Sequence, residues 1–242
     1  MTPKRPLLLY VLGEPPDEVA RAHGRFEDWF GALWREDPVE VTVFDGARPA
    51  PPPSPEEFAG AVLTGSPASL TAPEHWMEIA VEFVRHAAFA GTPVLGVCFG
   101  HQLIGAAYGG SVVVNPKGWE VSTRQVHVND AGRGDPLFEG VGDCFEANLS
   151  HADVIQADTM APANGLRILA HSDATEAQAL AAGDAIRGVQ FHPELNGAIA
   201  RGYIEARRDV FPEPDDLAAR ARDTPDAVRV FRNFIRHWVL RS

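Results

Sequence analysis

Pro93-Val94-Leu95-Gly96-Val97-Cys98-Phe99-Gly100-His101-Gln102 is the stretch that decides the fold. The apolar run from Val94 to Val97 reads as a short strand buried on both faces. It ends in a cysteine with a glycine two positions to either side, and Leu103, Ile104, Ala106 and Ala107 follow at helical spacing. Strand, tight turn, reactive side chain, helix is the nucleophile-elbow order, with sulfur in place of oxygen. Gly96 and Gly100 are expected to let the backbone turn without a Cβ clash. Cys98 is then expected to stand exposed at a helix N-terminus, where the macrodipole favours thiolate over thiol. On this segment alone, a buried cysteine acting as a small hydrophobe is an equal reading.

Outward from this stretch the alternation of strand and helix continues. Pro6 to Leu12, Val39 to Phe44 and Ala61 to Thr64 read as strands. A helix is expected over Glu18 to Arg35, with Phe26, Trp29, Phe30 and Leu33 as its core face, and another over Trp76 to Ala90. Strand-helix-strand in this order predicts an α/β fold, a parallel sheet with helices on both faces. Pro49 to Pro55 reads as a stiff polyproline connector on the surface. Downstream of the elbow, Ser111 to Asn115, Glu120 to Val128, Glu146 to Leu149, Arg167 to His171 and Gln178 to Ala181 read as short strands joined by turns. These are expected to extend the sheet and add a small antiparallel piece. The tail reads as helices over Ala198 to Arg208, Asp215 to Arg222 and Pro225 to Leu240. The last carries Val228, Phe231, Phe234, Ile235, Trp238 and Val239 on one side, a face expected to pack on the sheet domain, with a homodimer contact as the alternative.

A thiol nucleophile needs a base, and the base needs an orienting partner. Far downstream, the strand-like Ile186-Arg187-Gly188-Val189-Gln190-Phe191 ends in His192-Pro193-Glu194. Two residues apart on an extended backbone, His192 and Glu194 share a face. The carboxylate can hold one imidazole nitrogen while the other faces sulfur. Cys98, His192 and Glu194 make a plausible triad, distant in sequence as triads often are.

Gly-Val-Cys-Phe-Gly-His-Gln followed by a distant Phe-His-Pro-Glu resembles the class I (triad) glutamine amidotransferases. More narrowly, the chain is similar to stand-alone proteins related to the amidotransferase domain of GMP synthase. The resemblance covers roughly residues 5 to 195. It implies a flavodoxin-like, mostly parallel sheet over 1–195, with 196–242 as a helical C-terminal extension packed on it. It implies attack of Cys98 on the glutamine side-chain amide, a γ-glutamyl thioester, and release of glutamate and ammonia. His192 would serve as acid and base and Glu194 as its support. An oxyanion hole would come from the backbone amides of Phe99 and of Ser66 in Gly65-Ser66-Pro67, where the family usually carries Gly-Gly-Pro; a plain strand-ending turn is the other reading there. Gly65, Gln102, Ser150, Ala152 and Asp153 are implied substrate-binding positions, the last three through a Ser-His-Ala-Asp element in which Ala152 replaces a common glycine. Glu120, in Gly118-Trp119-Glu120, either supports the active-site loop or sits on an ordinary surface loop. His101 and His151 are expected to be structural.

Composition agrees with this frame. The net charge of −12 disfavours nucleic-acid and membrane-surface partners. No apolar run approaches a membrane span, and the start of the chain lacks a signal-peptide core. Two cysteines suggest no disulfide framework, and a cytoplasmic location suits a thiol enzyme. Cys144 is expected in the core. No cofactor is implied, and the nine histidines show no metal-ligand spacing. No phosphate-cradling loop is present, so any synthetase function needs a separate partner chain. A γ-glutamyl peptidase with the same triad is the runner-up, and a non-catalytic binding or regulatory module the third reading.

Overall fold

A computed structural model describes residues 5–35, 38–48, 50–160 and 165–241. Pro49, the first residue of the expected proline-rich connector, lies outside the described residues, as do 1–4 ahead of the first strand. Five strands run parallel: β1 (Leu7–Val11), β2 (Val41–Asp45), β3 (Gly60–Leu63), β4 (Val94–Val97) and β11 (Ile186–Val189). Their spatial order, β2-β1-β3-β4-β11, is the flavodoxin-like 2-1-3-4-5 winding. Strands β1, β3, β4 and β11 are apolar almost throughout because both faces are covered. Leu7, Leu9 and Val11 face one cluster with Phe30, Phe231 and Phe234. Leu8 and Tyr10 face the other with Met77, Phe83 and Ile104.

The helices that cover these faces are α1 (Asp17–His23), α2 (Phe26–Leu33), α3 (His75–Ala90), α4 (Phe99–Ala107), the single turn α5 (Asp130–Arg133), α6 (Gly197–Glu205), α7 (Pro214–Arg220) and α8 (Pro225–Phe234). The single helix expected over Glu18 to Arg35 is two. Gly24 takes φ +84°, a left-handed conformation that ends α1. The Asp28 carboxylate then accepts the Arg25 N–H at 2.9 Å and starts α2 afresh. Similarly, the last helix is α-helical only to Phe234 and widens into a π turn over Ile235–Val239.

Beyond β11 the sheet becomes antiparallel through β10 (Ala179–Ala182), β9 (Leu166–His171), β6 (Glu120–Val128) and β7 (Cys144–His151). A separate antiparallel pair joins β5 (Val112–Val114) to β8 (Asp153–Ile155). Cys144 is exposed rather than in the core. It begins the edge strand β7 on the side opposite Phe145, Ala147 and Leu149, and its thiol donates to Gln125 Oε1 at 2.9 Å. Phe231 and Phe234 of α8 are fully buried, Phe231 against the rings of Phe30 and Trp34. Among the described residues, no helix is long and apolar enough to cross a membrane.

Candidate active site

The site grows from the join between β4 and α4. Cys98 caps α4 with φ 52° and ψ −100°, a conformation that a non-glycine residue adopts only when its surroundings impose it. Two hydrogen bonds help to impose it. The Cys98 N–H donates to Val189 O on β11 at 2.8 Å, and the Gly100 N–H donates to Thr64 O beyond β3 at 3.1 Å. The flanking glycines have a different job from the one expected. Neither uses a positive φ. A Cβ on Gly96 would lie 2.3 Å from Gly100 O, and one on Gly100 would lie 2.5 Å from Leu63 O. Their role is close approach: α4 can cross tightly over β3 and β4 only where side chains are missing.

Cys98 is not exposed as the sequence suggested; it is buried, with 6% of its surface accessible. It forms the floor of a small pocket with Ser66, Ser150 and His192. His192 sits just past β11, where its N–H donates to Asn148 O on β7 at 2.8 Å. His192 Nδ1 lies 2.7 Å from Glu194 Oε1. The pair meets across a turn at Pro193-Glu194 rather than along an extended strand. The second ring nitrogen, Nε2, is buried and makes no hydrogen bond within the protein. Burial pushes the imidazolium towards neutrality, but the Glu194 carboxylate and the Cys98 sulfur outweigh it. His192 is raised to about 10, so the ring carries its proton at neutral pH.

Gly65 packs over this centre. A Cβ there would lie 3.1 Å from His192 Cε1 and 3.7 Å from Cys98 Cβ. Among the described residues, no turn or side-chain acceptor takes the backbone N–H of Ser66 or Phe99. The Ser150 hydroxyl is buried and unpartnered. The structure therefore brings Cys98, His192, Glu194, Gly65, Ser66, Phe99 and Ser150 together. Gln102, Ala152 and Asp153 do not line the pocket. The Gln102 amide donates to Asp153 O at 2.9 Å and to Gln190 Oε1 at 3.3 Å, while the Asp153 carboxylate accepts from Ser69. Ala152 O accepts the Asn115 N–H. These three residues brace the turn behind Ser150.

Glu120 is no surface residue. Its carboxylate accepts from Ser172 at 2.6 Å, Thr175 at 2.5 Å and Gln178 at 2.9 Å, with His151 Nε2 3.3 Å away. Burial would raise its carboxyl, but the His151, Ser172 and Thr175 side chains hold it below the usual range. The network fixes His151, the neighbour of Ser150. His101 is wholly enclosed, and burial lowers it to about 3, so it stays neutral. Among the described residues, no three His, Cys, Asp or Glu side chains cluster as a metal site would need.

Several site residues carry no sequence signal. Asn148 is fully buried. Its amide donates to Leu195 O at 2.7 Å and Arg222 O at 3.0 Å, tying the His192 loop and the tail to β7. Glu14, Phe26, Tyr203 and Arg207 complete the pocket wall. Glu14 follows β1, Phe26 opens α2 at the Gly24 break, and Tyr203 and Arg207 come from α6 and the turn after it. The free volume is about 20 Å³, room for about one water molecule, so a larger ligand must displace part of the rim. A larger groove of about 1170 Å³ between α2 and α8 touches Pro193 and Glu194, but neither Cys98 nor His192 lines it.

The family model described as glutamine amidotransferase class-I matches residues 33–205. The amidotransferase component of the glutamine-hydrolysing GMP synthase of Sulfurisphaera tokodaii, a separate subunit there, is 33% identical over 151 residues, which are 60% of this chain and 74% of that protein. A putative glutamine amidotransferase-like protein of Schizosaccharomyces pombe is 28% identical over 224 residues, covering 86% of this chain and 87% of its own length. In three dimensions, a glutamine amidotransferase from Thermotoga maritima superposes with a TM-score of 0.76 at 20% identity, covering 97% of this chain and 98% of its own. That likeness speaks for the fold.

Proposed function

This chain belongs to the glutamine amidotransferase class-I family, and from that membership we propose that it hydrolyses the side-chain amide of glutamine through a Cys98 thioester. The observation that carries the proposal is the convergence of Cys98, His192 and two unspent backbone amides on one pocket. The Cys98 thiolate attacks the γ-carbonyl carbon. The resulting oxyanion takes hydrogen bonds from the Ser66 and Phe99 N–H groups. When the tetrahedral intermediate collapses, the carbon–nitrogen bond breaks and the imidazolium of His192 gives its proton to the leaving ammonia. His192, now neutral, removes a proton from water, which attacks the thioester. Glutamate leaves and the thiolate is restored. Glu194 keeps the ring oriented and favours its charged form throughout. Supply of the ammonia to a separate synthetase chain is the finer part of the proposal, supported by the GMP synthase relative, whose name marks it as one subunit of that enzyme.

The test is a hydrolysis panel on purified protein, comparing free glutamine with γ-glutamyl dipeptides and glutathione. Glutamine turnover that falls at least about 10³-fold in Cys98→Ala, with an unchanged circular dichroism spectrum, is the expected result. A diazo-ketone analogue of glutamine should label Cys98 and spare Cys144. Turnover undiminished in Cys98→Ala would sink the thioester mechanism.

A further inference from the structure

Arg207 is the one strongly basic side chain on the pocket wall, and its charge is not spent inside the protein. Among the described residues it forms no ion pair, although the chain as a whole carries a net charge of −12. Its guanidinium is held over two aromatic faces, 5.4 Å from the Tyr203 ring centre and 6.0 Å from that of Trp119. Both rings are themselves fixed. Tyr203 packs edge-on against Trp29 at 6.1 Å, and Trp119 against Phe211 at 5.4 Å. Cation–π contact of this kind positions a guanidinium without neutralising it, and leaves its N–H fork directed at whatever comes next. Arg207 backbone N–H closes the turn after α6 by donating to Ile204 O, so the side chain projects from an anchored point. The nearest acid on the same wall, Glu14, is paired with Arg25 instead.

We propose that Arg207 is a specificity-determining residue that binds a carboxylate of the substrate, making this a site for γ-glutamyl compounds that carry a free carboxylate rather than for amides in general. The inference rests on the thioester reading above. It follows from chemistry already on the wall. The γ-carbonyl must lie at Cys98, and the amides of Ser66 and Phe99 take its oxygen. Ser150 offers a hydroxyl, and Gln102 and Asp153 are committed to each other behind it. The remaining ionic feature of a glutamyl substrate is its carboxylate, and Arg207 is the group on this wall that can meet it with two parallel hydrogen bonds. Two carboxylates qualify: the α-carboxylate of the glutamyl unit, and the carboxylate of an amino acid leaving group in a γ-glutamyl dipeptide.

The experiment measures kcat/KM for wild type, Arg207→Lys and Arg207→Gln with four substrates. These are glutamine, its decarboxylated analogue 4-aminobutanamide, γ-glutamyl-glycine and γ-glutamyl-glycinamide. Loss of the guanidinium should lower kcat/KM about 10- to 100-fold for carboxylate-bearing substrates, mainly through KM, with Lys only partly restoring it. If the α-carboxylate is the partner, glutamine and both dipeptides lose alike and 4-aminobutanamide is unaffected. If the leaving-group carboxylate is the partner, γ-glutamyl-glycine loses and the glycinamide does not. Equal kinetics for all three proteins, or an equal loss on all four substrates, overturns the Arg207 assignment and leaves the thioester chemistry standing. A wild type that turns over none of the four, and whose Cys98 resists the diazo ketone, overturns the thioester reading and the Arg207 assignment with it.

Discussion

Glu194 and His192 show how one side chain sets the state of another. Burial alone would strip the proton from a ring as enclosed as that of His192; the carboxylate at 2.7 Å reverses the outcome. The sign follows directly. The folded value, about 10, lies above the unfolded value of about 6.5. The stability gained from the charged ring is therefore complete below about pH 6.5 and is lost as pH rises towards 10. Glu194→Gln keeps the hydrogen-bonding shape but removes the charge, so burial prevails and the His192 value falls. The alkaline limb of the kcat/KM profile should move to lower pH by more than about one unit, which a pH–rate series would read. An unmoved limb would mean that Glu194 does not hold this proton. At this scale the triad was legible because thiol, imidazole and carboxylate are scarce side chains in punctuated motifs. Arg207 and Asn148 were not, since an arginine after a helix and an asparagine in a strand look ordinary until the fold says what they face.

At the scale of the element, the elbow depends on absent atoms more than on flexible ones. Gly100 sits where a methyl group would strike Leu63 O at 2.5 Å, and the neighbour is backbone, which cannot step aside. Gly100→Ala should destabilise the protein by about 1–3 kcal/mol and tilt α4 away from β3. Thermal unfolding would show a lower Tm, and turnover should fall further than the loss of folded protein explains, because α4 carries the Phe99 amide. The strand–turn–helix order was readable from residues 94–107. What the glycines were for was not, because contact between elements 30 residues apart leaves no local periodicity. The break at Gly24 is a like case. The run of Phe26, Trp29, Phe30 and Leu33 has helical spacing, but spacing cannot say that α1 stops before it. That break turns Phe26 into the pocket wall.

For the molecule as a whole, the five parallel strands fix the site because their carboxyl ends share one edge. Winding order and two-sided burial were implied by the apolar runs, whereas the antiparallel pairing of β10, β9, β6 and β7 depends on long-range register. The tail is part of the same core: Phe231 is fully buried between Phe30 and Trp34. Phe231→Ala should cost about 3–5 kcal/mol, visible as a lower denaturation midpoint in guanidinium chloride. An unchanged midpoint would show that α8 is not integral to the core. The place of β11 beside β4 has one more consequence. Cys98 leaves the ribosome 94 positions ahead of His192. At about 5–20 residues per second, that is roughly 5–20 s of synthesis. The β11 strand cannot dock until it too has emerged, so the nascent chain carries its sulfur without a base. The order of translation therefore delays the chemistry until the sheet around it is finished.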